Sequence, residues 1–357
     1  MAARRFVDDG DPQGDDETAG ALVRGGKPRV RIVDVAARAG VSITTVSHAL
    51  SQRRPVSART REKVQRAIEE LSYRPNEAAR SLRGQPTATV AVIVPDITNP
   101  FYPQLARGMQ DVLSPKGYQA LICSSDAEPV SRREIVEQML ARRVDGICIS
   151  GYYDDHTDAE PAVEAGVPVV MFGHRAPYPG ISTVTTDDIG AGRIATEHLL
   201  SRGYERIGFI TGPGEVGPPA DRVAGYRSAL EGAGIAAEPE LVIHGPVSRE
   251  GGAAGMQQLL ALDRPPRAVV CTNDFVAIGA MEAVLDRGLD VPGDVALIGF
   301  DDIDAAALVR PALTTMSVAI RRQGQAAAQL ILDRIANPDQ PPQATLFATE
   351  LVQRRST

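Results

Sequence analysis

Apolar positions between Val30 and Tyr73 recur at the 3.6-residue helical period in short pieces, and beyond Ala88 the pattern changes to strand-like runs alternating with amphipathic helices. In the first region Ile32, Val35, Ala36 and Ala39 form one stripe that stops at Gly40, a natural left-handed C-terminal cap. Ser42 stands where its hydroxyl can cap a second helix, with Val46, Ala49 and Leu50 on the buried face. Pro55 breaks the chain, and Ser57 can cap a third helix carrying Val64, Ala67, Ile68 and Leu71 along one side. Pro75 ends that helix. Asn76 to Leu82 then offers one more short turn before Gly84 and Pro86.

The apolar runs after Ala88 are ATVAVIVP, YQALICSS, VDGICISG, VPVVMFG, RIGFITG, LVIHG, RAVVCTN and DVALIGF. Helical segments between them include 131–142, 191–202, 221–231, 252–262 and 274–287. Strands apolar on both faces and separated by helices specify parallel sheets covered on both sides. About eight such units exceed one ordinary sheet, and the pattern restarts near Thr186. The fold class is therefore α/β: a three-helix head, then two Rossmann-like lobes. The expected division is a tail at 1–28, the head at 29–73, a hinge and linker at 74–87, and a core at 88–353. Within the core, one lobe takes 88–187 plus 317–340 and the other 188–316 plus 341–353.

Charge sharpens this division. The net charge of −7 is unevenly spread: residues 29–84 carry twelve Arg and Lys against five Asp and Glu, whereas everything after Gly84 carries 22 against 34. A basic head on an acidic body turns the head toward phosphate and keeps the body away from it. Residues 1–28 are Gly- and Asp-rich, without an apolar stretch that could serve as a signal peptide. No run of about 18 uncharged apolar residues exists, so no membrane partner is expected. Cys123, Cys148 and Cys271 are odd in number and sit in strand-like runs, which reads as buried free thiols in a reducing, cytoplasmic compartment.

The run RIVDVAARAGVSITTVSHAL has the layout of two helices joined by a tight turn at Ala39-Gly40-Val41. Its second helix turns Ile43, Thr44, Ser47 and His48 outward, where short polar side chains and a donor can meet base edges. Ser42 and Thr45, and Thr60 at the next helix start, can reach phosphates. A plain three-helix bundle with a polar face would show the same amphipathic pattern; the basic bias and the segment that follows favour DNA.

In that segment the sequence resembles the LacI/GalR family of transcriptional regulators. DVAARAGVSITTVS, then TREKV, then YRPNEAARSL stand in the family's order and spacing, and the resemblance runs on to about Gln353. It implies that Asn76 to Arg83 is a hinge helix formed on operator DNA, with Leu82 wedged into the minor groove and Asn76 and Ala79 close to the DNA beside it. An apolar wedge unstacks and kinks a duplex, so the role is physically sensible. The chain departs from the family at four points. His48 follows TVS where arginine is usual, and one ring donor discriminates guanine less well than a bidentate guanidinium; a simple phosphate contact is the alternative. Arg31 replaces a frequent threonine cap, Glu77 places a negative charge in the hinge, and His174 stands where arginine is common.

Beyond Ala88 there is no P-loop, dinucleotide fingerprint, metal-ligand spacing or nucleophile–base set, so neither catalysis nor a cofactor is expected. Ligands of parallel sheets gather at the carboxyl ends of the strands. The candidates there are Asp96, Asn273-Asp274 and Asp301-Asp302, each also readable as a turn or cap residue. DITNPFY, DRVAGY, TNDFVAIGA and GFDD with LTT resemble the family's effector-domain motifs. By that resemblance Arg222 and Asp301 hydrogen-bond a small effector, Phe101 packs on it, and Asp96 and Asn273 complete a polar ring suited to a sugar. The expectation is a homodimeric, ligand-controlled repressor of double-stranded operator DNA. A solute-binding protein or sugar-processing enzyme would share the core but not the basic head.

Overall fold

The computed structural model describes residues 30–51, 54–73, 86–126, 129–151, 157–173, 178–214 and 216–357. Contacts divide it into two units, Met1–Ala79 and Arg80–Thr357. The first holds α1 (Ile32–Ala39), α2 (Ile43–Ser51) and α3 (Ala58–Glu70). They close on a small core of Val35, Ala36, Ala39, Val46, Val64, Ala67 and Tyr73. Gly40 takes φ 66°, the left-handed turn that its missing Cβ permits, and its N–H and the next one return to carbonyls at the end of α1. Ser57 accepts from the Thr60 N–H at 3.2 Å, as a capping hydroxyl should. Arg38 and Glu70 pair at 2.5 Å across the surface from α1 to α3. One expectation fails here: Leu50 is 38% exposed, because the core is closed from the α2 side by Val46 and Ala49.

The second unit contains two six-stranded sheets. The first uses β1 (Thr89–Val94), β2 (Gln119–Ser124), β3 (Gly146–Ser150), β4 (Val169–Phe172), β5 (Ile181–Thr186) and β11 (Ala344–Phe347), in the order β11-β5-β4-β3-β1-β2. The second uses β6 (Ile207–Thr211), β7 (Val242–His244), β8 (Ala268–Cys271), β9 (Ala296–Asp301), β10 (Thr314–Ser317) and β12 (Glu350–Val352), in the order β12-β10-β9-β8-β6-β7. Every pairing is parallel except β10 with β12. In β1, Val90, Val92 and Val94 enter one core while Ala91 and Ile93 enter another, which is why the strand reads apolar throughout.

Helices cover both sheets: α4 (Phe101–Leu113), α5 (Pro129–Ala141), α6 (Glu160–Glu164) and α12 (Ile320–Ala336) with the first, and α7 (Asp188–Ser201), α8 (Pro218–Gly232), α9 (Arg249–Leu260), α10 (Asp274–Asp286) and α11 (Asp304–Leu308) with the second. The chain crosses between lobes after β5, between β10 and α12, and between β11 and β12. The expected return at 341 therefore falls later, since β11 pairs with β5 and keeps 344–347 in the first lobe. The far boundary also extends past 353: the buried Ser356 hydroxyl donates to Leu297 O at 2.6 Å and receives the Thr314 N–H at 2.8 Å. Cys148 and Cys271 are buried free thiols, whereas Cys123, on the edge strand β2, is only half-buried. No described helix is long and apolar enough to cross a membrane.

Candidate functional site

In the head, Ile43 and Thr44 are exposed at the start of α2, and Ser47 and His48 are partly exposed one turn later. The Ser42 hydroxyl accepts from the Thr45 N–H at 3.1 Å and shares a 2.8 Å hydrogen bond with the Thr45 hydroxyl. Ser57 and Thr60 repeat this arrangement at the start of α3. Hydroxyls and amides at the starts of α2 and α3 thus form two compact polar tips, each suited to an anion by the helix dipole. Arg54, Arg59, Arg61 and Lys63 stand exposed around the second tip. At the start of α1 the Asp34 carboxylate accepts the Arg31 N–H at 2.7 Å and the Arg31 carbonyl accepts the Asp34 N–H at 2.9 Å, but the Arg31 side chain has no acceptor with which to cap the helix. Asn76, Glu77, Ala79, Leu82 and His174 lie outside the described residues.

In the second unit, both sheets turn their carboxyl ends to one open cleft. The first lobe lines it with Asn99, Phe101, Tyr102, Ser150, Thr185, Thr186 and Gln323; the second adds Pro218, Pro219, Arg222, Val247, Thr272, Asn273 and Asp301. Four of the five expected effector residues are therefore brought together. Asp96 is not among the lining residues. Its carboxylate is occupied locally, accepting the Thr98 N–H at 2.8 Å and the Thr98 hydroxyl at 2.7 Å, and the buried Asn99 lines the cleft from the same loop.

The centre of the second wall is Arg222, on α8. Its Nε donates to Asp188 at 2.8 Å, its Nη1 donates to Thr272 O, and its Nη2 stands 3.9 Å from Asp301. The guanidinium also lies over the Phe300 ring at 4.6 Å, a favourable stacking for a planar cation. This meeting needs α7 and α8 in backbone contact. A Cβ at Gly192 would fall 2.1 Å from Arg222 O, so only glycine admits it. Asp188 in turn accepts the Thr186 hydroxyl at 2.8 Å.

Asp301 ends β9 and is 6% exposed. Burial pushes its carboxyl up to about 6, against the pull of Arg222 and with the help of Asp188. Asp274, fully buried one layer behind, is held well above the usual carboxylate range by burial and by Asp301. It has structural work, accepting the Thr315 hydroxyl at 2.6 Å and the Ile303 N–H at 2.9 Å. Asn273 caps α10 through its carbonyl oxygen, at 2.9 Å from the Val276 nitrogen, which leaves its amide donors for the cleft. Phe101 meets Tyr102 edge-on at 5.1 Å.

Asp188, Asn99, Thr185, Thr272 and Gln323 escaped the sequence reading. The strand-end rule that selected Asp301 applies equally to Asp188, which follows β5, and would have found it. Gln323 lies inside α12, and nothing local marks it. A cleft with carboxylates grouped around one guanidinium, amide and hydroxyl donors and an aromatic face suits a neutral, hydroxyl-rich molecule. Among the described residues no group of acidic, His and Cys side chains could hold a metal ion.

Residues 31–76 match the model of bacterial regulatory proteins of the lacI family, and residues 196–357 match a periplasmic binding protein-like domain. The transcriptional regulator DegA of Bacillus subtilis is 34% identical over 92% of this chain and 98% of its own length. The ribose operon repressor of Escherichia coli is 34% identical over 90% and 98%. A lac repressor dimer bound to operator and the anti-inducer ONPF superposes with a TM-score of 0.81 at 29% identity, covering 92% of this chain and 99% of that one. A CelR–cellobiose complex gives 0.70 at 32%, covering 92% and 100%. A regulator from Enterococcus faecium with bound ribose gives 0.67 at 31%, covering 75% and 98%.

Proposed function

The chain belongs to the lacI family of bacterial regulatory proteins, and from that premise we propose that it is a cytoplasmic, homodimeric repressor whose hold on a near-palindromic operator is set by a sugar in the interlobe cleft. It is a ligand-responsive, DNA-binding transcription regulator, and the relatives it matches are regulators and not enzymes. The observation that carries the sugar reading is the Asp188–Arg222–Asp301 group, of which Arg222 and Asp301 line the same cleft as Phe101. Carboxylate and guanidinium grip vicinal hydroxyls, and an aromatic face takes the C–H side of the ring. Two structural relatives hold cellobiose and ribose, which makes these the first probes. Two heads read two half-sites, since one recognition helix covers only half of a palindrome. Asn76, Ala79 and Leu82 are assigned to the hinge contacts with the minor groove.

A thermal-shift screen of sugars, repeated as an operator-binding assay, tests this. At least one sugar should raise the melting temperature and change operator affinity; a panel with no effect on either would remove the sugar reading. Binding should also depend on pH. An ionised Asp301 accepts a ligand hydroxyl, so with its carboxyl at about 6 affinity at pH 5.5 should be about fourfold weaker than at pH 7.5. Stability moves the other way. A carboxyl raised above its unfolded value of 3.8 penalises the fold above pH 6, and that penalty is relieved as pH falls from 6 to 4. Calorimetric titration at the two pH values reads the first effect, and an affinity independent of pH would remove Asp301 from the contact.

Recognition is tested at His48. His48→Arg should change preference at one base pair of each half-site by about 1–3 kcal/mol, the worth of a bidentate guanine contact. Selection from random operators would show it, and identical site preferences for the two proteins would mean that His48 reads no base.

A further inference from the structure

Asp301 and Asp302 both hold left-handed backbone, with φ of 101° and 59°. Positive φ is uncommon for residues with a Cβ, and two in succession persist only where their surroundings enforce them. The first of the pair lines the cleft and the second does not. What grips the second is Arg354. Its Nη2 donates to Asp302 Oδ1 at 2.5 Å, its Nη1 donates to Leu313 O at 2.8 Å, and its own N–H is taken by the Thr314 hydroxyl at 3.0 Å. Both charged side chains are largely covered, at 19% and 26% exposure, so the pair is screened less than a surface one. Arg354 also has a telling position. It follows β12 by two residues, and β12 is the first element after the chain crosses from β11 in the other lobe.

We propose that Arg354 is a positioning residue for the cleft: its ion pair with Asp302 holds the left-handed turn that presents the Asp301 carboxylate, and so ties that carboxylate to the crossover between the lobes. Resting on the assignment of Asp301 to the effector, this adds a route by which lobe movement reaches the ligand. Movement at the crossover displaces Arg354, and the strained pair relaxes toward ordinary backbone, swinging Asp301 out of place. Conversely, a ligand that seats Asp301 favours the crossover geometry that keeps Arg354 on Asp302, as reciprocity of coupling requires.

The test uses the full-length protein with Arg354→Ala, Asp302→Gly and the double variant, titrated calorimetrically with D-ribose and with cellobiose. Arg354→Ala should weaken sugar binding about tenfold, the scale of losing a preorganised contact. Glycine adopts positive φ without a clamp, so in the Asp302→Gly background removing Arg354 should weaken binding no more than about twofold. Wild-type affinity in Arg354→Ala overturns the proposal, and so does a tenfold loss in both backgrounds, which would mark a merely structural arginine. A second readout needs no ligand: with burial pushing its carboxyl up to about 6, the Asp301 carboxyl carbon, identified by difference from Asp301→Asn, should show a raised midpoint in the wild type. In Arg354→Ala the relaxed turn admits water and the midpoint should fall; an unmoved midpoint overturns the proposal even where neither sugar binds. Failure of the effector assignment looks different, since Asp301→Ala would then bind sugar normally while the Arg354-dependent midpoint still moved.

Discussion

Arg222→Ala is expected to lower the melting temperature of the two-lobed unit by about ten degrees and to abolish the sugar response at concentrations that saturate the wild type. The cation is paired to Asp188 at 2.8 Å with side-chain exposures of 10% and 2%, and it donates to Thr272 O as well. Removing it leaves two buried carboxylates, Asp188 and Asp301, in one wall without their shared counter-charge. Breaking a buried pair from one side costs about 3–5 kcal/mol, because the uncompensated charge stays buried. For a unit of this size each 1 kcal/mol moves the melting temperature by about 2–4 °C. Asp301 should respond by taking up a proton at still higher pH, since the cation drawing its carboxyl down has gone. Arg222→Lys separates charge from shape. A lysine keeps the positive charge but loses the fork that spans Asp188, Thr272 O and Asp301, so stability should recover in part and sugar binding should not. Calorimetric melting and sugar titration of both variants check this, and an alanine variant that melts and binds like the wild type would dismantle the site.

Removing residues 1–84 should leave a folded core that melts and binds sugar as the full chain does, yet has lost at least about a thousandfold in operator affinity. That factor is the lower end of the gap between specific and non-specific binding. The division between the two contact units falls near this point in the chain, and each unit has its own hydrophobic core. The cut therefore removes α1–α3 without opening the sheets. The remaining chain carries 22 basic against 34 acidic residues, so it repels the duplex. For the full chain, log affinity should fall linearly with log salt, with a slope reporting several neutralised phosphates per half-site, whereas the truncated core should show no salt-sensitive binding at all. Mobility-shift assays at 50 and 200 mM salt decide it. Operator binding by the core alone would overturn the assignment of the basic head.

The head was legible from sequence because its signals are local. Gly40 forces the turn by its own φ, and Ser42 and Ser57 cap helices through amides three residues away. The alternation of apolar runs and helices is equally local, and so it announced two covered parallel sheets and a restart near Thr186. What sequence spacing could not supply were facts that depend on distant partners. Leu50 fits the helical stripe, yet Val46 and Ala49 already close a core only three short helices wide. ATLF at 344–347 is too short and too exposed to carry a period; it is a strand of the first lobe only because β5 offers a free parallel edge. Asp96 and Asn99 compete for the cleft from one loop, and the side-chain hydrogen bonds to Thr98 decide against Asp96. Asp188, Arg222 and Asp301 belong to three different elements, and their meeting rests on two glycine-lined helices pressed backbone to backbone. Sequence by itself determined which elements form and which end of the molecule faces DNA, because caps, periodicity and charge act over a few residues. The tertiary structure alone decided which polar groups share the cleft and how far they are shifted, because burial and pairing are properties of neighbours that the chain brings from far away.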